Sequence, residues 1–116
     1  MHADTNSEHL GVDSPYIEVA VEVFRLLADQ TRVRILLALR DGELSVNHIA
    51  DIVDRPGPAV SQHLAKLRWA RMVTARNDGN RAFYSLTDEH ATRVIREAIL
   101  QAEHAVDADP VHHRAP

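Results

Sequence analysis

Four of the eight histidines in this 116-residue chain fall between His90 and His113, interleaved with Asp88, Glu89, Glu97, Glu103, Asp107 and Asp109. Imidazoles and carboxylates are the donors that hold hard or borderline divalent ions. On a helix, His90, Glu97 and His104 recur every seven residues and share one stripe, drifting by only about 20° per heptad. His90 and His104 lie 14 residues apart, which is about 21 Å along a helix axis. A metal–nitrogen bond is about 2 Å long, so the two cannot meet on one ion within one chain. The sequence has no cysteine, which removes disulfides, thiolate metal sites and cysteine nucleophiles. A hydrolase built on this cluster would need a cleft-forming second domain, a nucleophile motif or a glycine-rich phosphate loop, and none of these supports it.

A second chemistry lies upstream. The net charge is -4 overall, but Arg55, Lys66, Arg68, Arg71, Arg76 and Arg81 face the single acid Asp78 within residues 55–81. That window carries +5 and leaves -9 to the remainder. A basic segment in an acidic body is the pattern of a local phosphate-binding face. His48 and His63 stand alone on their helices and read as surface or DNA-facing groups rather than ligands.

The elements that position these residues follow from capping and periodicity. Residues 1–13 are polar and read as a flexible N-terminal arm. Ser14-Pro15 predicts an N-cap with proline at the first helical position, followed by the stripe Ile17, Val21, Phe24 and Leu27. Asp29 is placed to cap a second helix, whose Val33, Ile35, Leu36, Leu37 and Leu39 are apolar on nearly every side and belong at the centre of the core. Asp41-Gly42 ends it. Ser45 caps a third helix with Val46, Ile49, Ala50 and Val53 on one face. Asp54-Arg55-Pro56 breaks the chain, and Pro58 starts a fourth helix. Two short helices across a tight turn form a helix-turn-helix unit.

Beyond Met72 the pattern changes to strands. Val73–Arg76 and Arg81–Leu86 flank Asn77-Asp78-Gly79-Asn80, a strong hairpin signal. Thr87 is placed to cap a last helix running to about residue 106, with Val94, Ile95, Ala98, Ile99 and Ala102 as its apolar face. Asp88 and Glu89 suit the dipole of its first turn. The expected fold is mainly α (α+β): a winged helix-turn-helix with a two-stranded wing and extra N- and C-terminal dimerisation helices. It spans residues 14–106, and residues 107–116 form a histidine-containing tail.

With Val60, Leu64 and Leu67 turned inward at about 100° per residue, Gln62 and Lys66 point away from the core and Ser61 and His63 lie on the flanks. Amides and hydroxyls on such a face read base edges, while Lys66 and Arg68 neutralise phosphate. Arg76 and Arg81 flank the hairpin turn, suited to backbone or minor-groove contact. The predicted DNA-binding set is therefore Ser61, Gln62, His63, Lys66, Arg68, Arg76 and Arg81.

From about Val21 to His104 the sequence resembles the ArsR/SmtB metal-responsive repressors. The resemblance is carried by Phe24–Asp29 with Thr31-Arg32, by Glu43–Ala50, by Ala59–Leu64 with Leu67, and by the wing ending Phe83-Tyr84-Ser85-Leu86. It implies a homodimer paired through its first and last helices and bound to an inverted-repeat operator in double-stranded DNA, which metal causes it to release. Recognition helices of this family often begin with Gln-Ser; here Gly57-Pro58 stands instead, which shifts the readout toward Ser61, Gln62 and the wing.

Some of the family's sensors bind metal through an Asp-x-His near the start of the last helix and a His-x-x-His or His-x-x-Glu near its end. Asp88, His90 and His104 match, and antiparallel pairing of two such helices brings His90 of one chain close to His104 of the other. Gln101 stands at the third ligand position, and a neutral amide is a poor donor, which argues against a simple tetrahedral zinc site. Glu103, His112 and His113 are the replacement ligands. Five or six nitrogen and oxygen donors suit octahedral Ni(II) or Co(II), with Zn(II) as a further candidate. Where the family places cysteines in the third helix this chain has Ser45, so sensing of arsenite, cadmium, lead or copper(I) there is not expected. The alternative is a winged-helix regulator without a metal inducer, controlled by a protein co-regulator. In either case the chain is not an enzyme, has no membrane partner and is expected in the cytoplasm.

Overall fold

The structure, a computed structural model, describes residues 9–108. His112 and His113, and residues 1–8 of the expected arm, lie outside that range.

Helix α1 spans Ile17–Leu27. Ser14-Pro15 does not open it: the Ser14 hydroxyl accepts the Tyr16 N–H at 3.2 Å, and the Ser14 N–H donates to the Gly11 carbonyl. A serine oxygen spent on the residue two ahead shapes a turn before the helix rather than a cap on it. No residue of α1 is fully buried.

Helix α2, Gln30–Ala38, is capped as expected, with Asp29 Oδ1 accepting the Arg32 N–H at 2.9 Å. Its Ile35 and Leu36, with Leu39 in the following 3₁₀ turn, lie at the centre of the core. Gly42 leaves that turn at φ 143°, a backbone conformation open to glycine.

The sheet differs from expectation. A two-residue strand β1, Leu44–Ser45, precedes α3, Val46–Val53, and pairs antiparallel with the wing. Two residues give no alternation to read, which is why sequence pattern misses it. Ser45 serves both elements: it closes the strand opposite Phe83, and its hydroxyl accepts the His48 N–H at 3.2 Å as the α3 cap. Asp54, left-handed at φ 56°, lets the Arg55 N–H reach back to the Ala50 carbonyl and turns the chain.

Helix α4 spans Gly57–Trp69, so Pro58 is its second residue and not its first. Val60, Leu64 and Leu67 seat it against α2 and α3. It ends in paired bonds, Arg71 N–H to the Arg68 carbonyl and Met72 N–H to the Leu67 carbonyl, with Arg71 left-handed at φ 63°. This is a Schellman closure with arginine where glycine is usual.

Strands β2, Val73–Asp78, and β3, Arg81–Leu86, pair from Val73 with Leu86 to Asp78 with Arg81, giving the order β1-β3-β2. The turn is thus two residues, Gly79-Asn80, rather than four; Gly79 supplies the positive φ of 65° that a short hairpin turn requires.

Helix α5 spans His90–Ala108. Thr87 does not cap it: the helix begins three residues later, and Thr87 belongs to the wing base, its N–H donating to the Met72 carbonyl. Asp88 instead accepts the His90 N–H at 2.9 Å, so Asp88 and Glu89 precede the helix. Asp107 and Ala108, expected in the tail, are helical. Of the predicted apolar face only Ile95 is buried, together with Ala91; Val94, Ala98, Ile99 and Ala102 are exposed in the protomer.

Candidate nucleic-acid interface

The wheel predicted for α4 is the one the fold presents. Ser61, Gln62, Ala65, Lys66 and Arg68 are exposed over the buried stripe Val60, Leu64 and Leu67. Sequence reading passed over Trp69, which is 90% exposed. It lies seven residues from Gln62 and shares its outward direction, a relation already available from the helical period.

His63 is half-buried and turned back toward α2, where its Nδ1 lies 3.2 Å from an Arg32 guanidinium nitrogen. Arg32 also donates from Nε to the Leu26 carbonyl at 2.6 Å, at the end of α1. The same arginine faces Asp29, with a 3.9 Å nitrogen–oxygen separation. The Arg32 backbone N–H is the main reason the Asp29 carboxyl is held below its ordinary pKa.

On the wing, Arg76, Arg81 and Phe83 lie on one face, both guanidinium groups stacked on the Phe83 ring at 4.8 and 5.1 Å. Arg76 is further held by Glu43, whose two carboxylate oxygens accept from it at 3.0 and 2.7 Å. That pairing lowers the Glu43 carboxyl pKa and raises that of Arg76. Nothing in the sequence marks Glu43 or Arg32 as partners, since each contact spans more than thirty residues. The Glu43–Arg76 pair is solvent-exposed, and such pairs are weak enough for a phosphate to compete for the arginine.

The predicted metal ligands fall at two ends of α5. Asp88 and His90 stand exposed at its start, Glu103 and His104 exposed near its end. Among the described residues no three histidines or carboxylates gather on one ion position within the protomer. Beside this helix runs an apolar groove of about 310 Å³, where Phe24, Leu27 and Val33 face Val94, Ala98 and Ile99. Among the described residues no helix is long and apolar enough to cross a membrane.

The family model of bacterial regulatory proteins of the arsR family matches residues 29–75, from the α2 cap into β2. The HTH-type transcriptional regulator KmtR of Mycobacterium tuberculosis (strain ATCC 25618 / H37Rv) is 50% identical over 115 residues, which cover 99% of this chain and 87% of the relative. The HTH-type transcriptional repressor SmtB of the same strain is 35% identical over 86 residues, 74% of this chain and 64% of the relative. Among solved structures, the AntR antimony-specific transcriptional repressor superposes with a TM-score of 0.74 at 32% identity, covering 83% of this chain and 87% of that one.

Proposed function

The chain belongs to the ArsR family of bacterial regulatory proteins, and from that membership we propose that it is a homodimeric transcriptional repressor whose hold on an inverted-repeat operator is controlled by nickel or cobalt. It is a DNA-binding regulator and not an enzyme. The observation that carries the dimeric, metal-linked part is the apolar groove between α1 and α5, left open in the protomer beside the stripe of His90, Glu97 and His104. Contiguous apolar surface of this kind marks a protein contact. A two-fold copy placed there pairs the last helices.

The donors fit a site shared between chains. Asp88 and His90 of one protomer would hold the ion with Glu103 and His104 of the other, and His112 and His113 would complete the set. Nitrogen and oxygen donors in that number favour nickel or cobalt, with zinc the weaker candidate. An ion in that position supplies a cross-link between the two chains. Its binding is coupled to the spacing of the two α4 helices, which must match one DNA turn of about 34 Å. A coupling of about 1–3 kcal/mol corresponds to about 5–150-fold in DNA affinity, and DNA must weaken metal binding by the same factor. At the interface itself Ser61, Gln62, Lys66 and Arg68 of α4 contact the major groove and its phosphates. Arg81, and Arg76 once a phosphate displaces Glu43, contact the backbone.

The test is fluorescence anisotropy of a duplex enriched from a randomised pool by the chain itself, titrated with and without nickel chloride. Weaker binding in nickel supports the reading. Superimposable curves refute metal control and leave DNA binding standing.

A further inference from the structure

We propose that His63 positions the recognition helix through Arg32 rather than reading bases, and so ties the register of α4 to the end of α1. This rests on the reading of α4 as the DNA-contacting helix.

Arginine has only donors, so a 3.2 Å contact between its guanidinium and His63 Nδ1 requires that nitrogen to be unprotonated and to accept. The ring is thereby fixed as the Nε2–H tautomer. The arginine is itself held: its side chain is 12% exposed, its Nε donates to the Leu26 carbonyl at 2.6 Å, and the Asp29 carboxylate lies beside it. One guanidinium thus joins the last turn of α1, the cap of α2 and the flank of α4. His63 sits between Gln62 and Leu64, on the turn that presents Ser61 and Gln62. The remaining cation near it on its own helix, Lys66, is one turn further along and exposed.

The α1 helix has no fully buried residue, rests on the core through partly buried Leu26 and Leu27, and lines the groove assigned above to the second copy. A shift of α1 on dimer rearrangement is therefore passed through the Leu26 carbonyl, Arg32 and His63 to the helix that meets DNA. The link adds a polar restraint on the flank of α4 to the apolar packing of Val60, Leu64 and Leu67 and the closure at Arg71 and Met72.

The two ring nitrogens make the proposal separable from base reading. Asparagine places its amide oxygen near the position of Nδ1, and glutamine places its own near Nε2. Anisotropy titrations compare His63→Asn, His63→Gln and His63→Leu on the duplex enriched from a randomised pool and on a random duplex. The expected result is that His63→Asn keeps the wild-type preference for the enriched duplex. Glutamine and leucine should lose about tenfold of it, the size of one hydrogen bond to a charged group. Binding to random duplex, which reads phosphates alone, stays unchanged in all three. Retention by glutamine with loss in asparagine overturns the proposal in favour of an outward Nε2 contact, and wild-type behaviour of all three overturns it as well. A wild-type chain that enriches no duplex refutes the DNA reading itself, and the inference with it. Long-range proton–nitrogen NMR of the wild-type histidines is a check that needs no variant: a proton on His63 Nδ1 overturns the proposal.

Discussion

Truncating Phe24 to alanine should dissociate the protein without unfolding it. Phe24 is 60% exposed in the protomer and lines the groove with Val94, Ala98 and Ile99. Burying a whole phenylalanine side chain is worth about 1.5–3 kcal/mol, so covering the exposed part adds about 1–2 kcal/mol per copy. A two-fold interface uses the patch twice, giving about 2–4 kcal/mol per dimer. At about 1.4 kcal/mol per factor of ten, Phe24→Ala raises the dimer Kd by about 30- to 700-fold. Phe24 lies outside the buried cluster, so the protomer core keeps its packing. Sedimentation velocity over a wide concentration range reads the effect. Ile52→Ala is the control, an exposed apolar residue on α3 away from the groove. An unchanged Kd for Phe24→Ala, or an equal loss for Ile52→Ala, refutes the assignment of this groove to a second copy.

Three further outcomes are expected. Arg71→Gly relieves a left-handed arginine at φ 63°, a strain of about 1–2 kcal/mol partly offset by glycine's larger unfolded-state entropy of about 0.5–1 kcal/mol; thermal melts should rise by a few degrees, whereas Arg71→Ala should leave them unchanged. Asp29 has its pKa lowered in the folded chain by the Arg32 N–H, so its ionised cap stabilises above the unfolded value near 3.8 and is lost as pH falls through the folded value below it. Asp29→Ala should therefore cost about 1 kcal/mol at neutral pH, and the gap to wild type should shrink below about pH 4 in denaturant titrations. If each ion is shared between His90 of one chain and His104 of the other, His90→Ala and His104→Ala homodimers should each lose tight nickel binding, while mixed dimers of the two variants regain one of the two sites by calorimetry.

What the sequence made legible is local. The caps at Asp29 and Ser45, the buried triad Val60, Leu64 and Leu67, and the hairpin turn at Gly79 each depend on residues within a few positions of one another. Such signals survive folding because neighbouring residues meet in any context. The errors also sit at element ends. Ser14 and Thr87 have the right chemistry for caps, but the Ser14 hydroxyl bonds in a turn before α1, and Thr87 stands at the wing base, its N–H on the Met72 carbonyl, three residues before α5 begins. Strand β1 was invisible because its two residues acquire meaning only opposite Phe83 and Tyr84.

The exposed face of α4 was legible in outline and the tethers around it were not, and the difference follows from distance along the chain. Exposure of Gln62 and Lys66 needs only a helical period. That Arg76 meets Glu43, and His63 meets Arg32, needs the whole fold, because the partners are 33 and 31 residues away. Each tether changes what a residue offers to DNA. Glu43 pairs with Arg76, so an anion must compete for that guanidinium, and an Arg32 guanidinium nitrogen lies against Nδ1 of His63. The ligand stripe on α5 lies one level further off. His90 and His104 are separated by about 21 Å of helix, so no rearrangement within one chain unites them. In the function proposed above their joint chemistry needs a contact between molecules, and what supports that contact in the single chain is the apolar surface on α1 and α5 that its own core leaves uncovered.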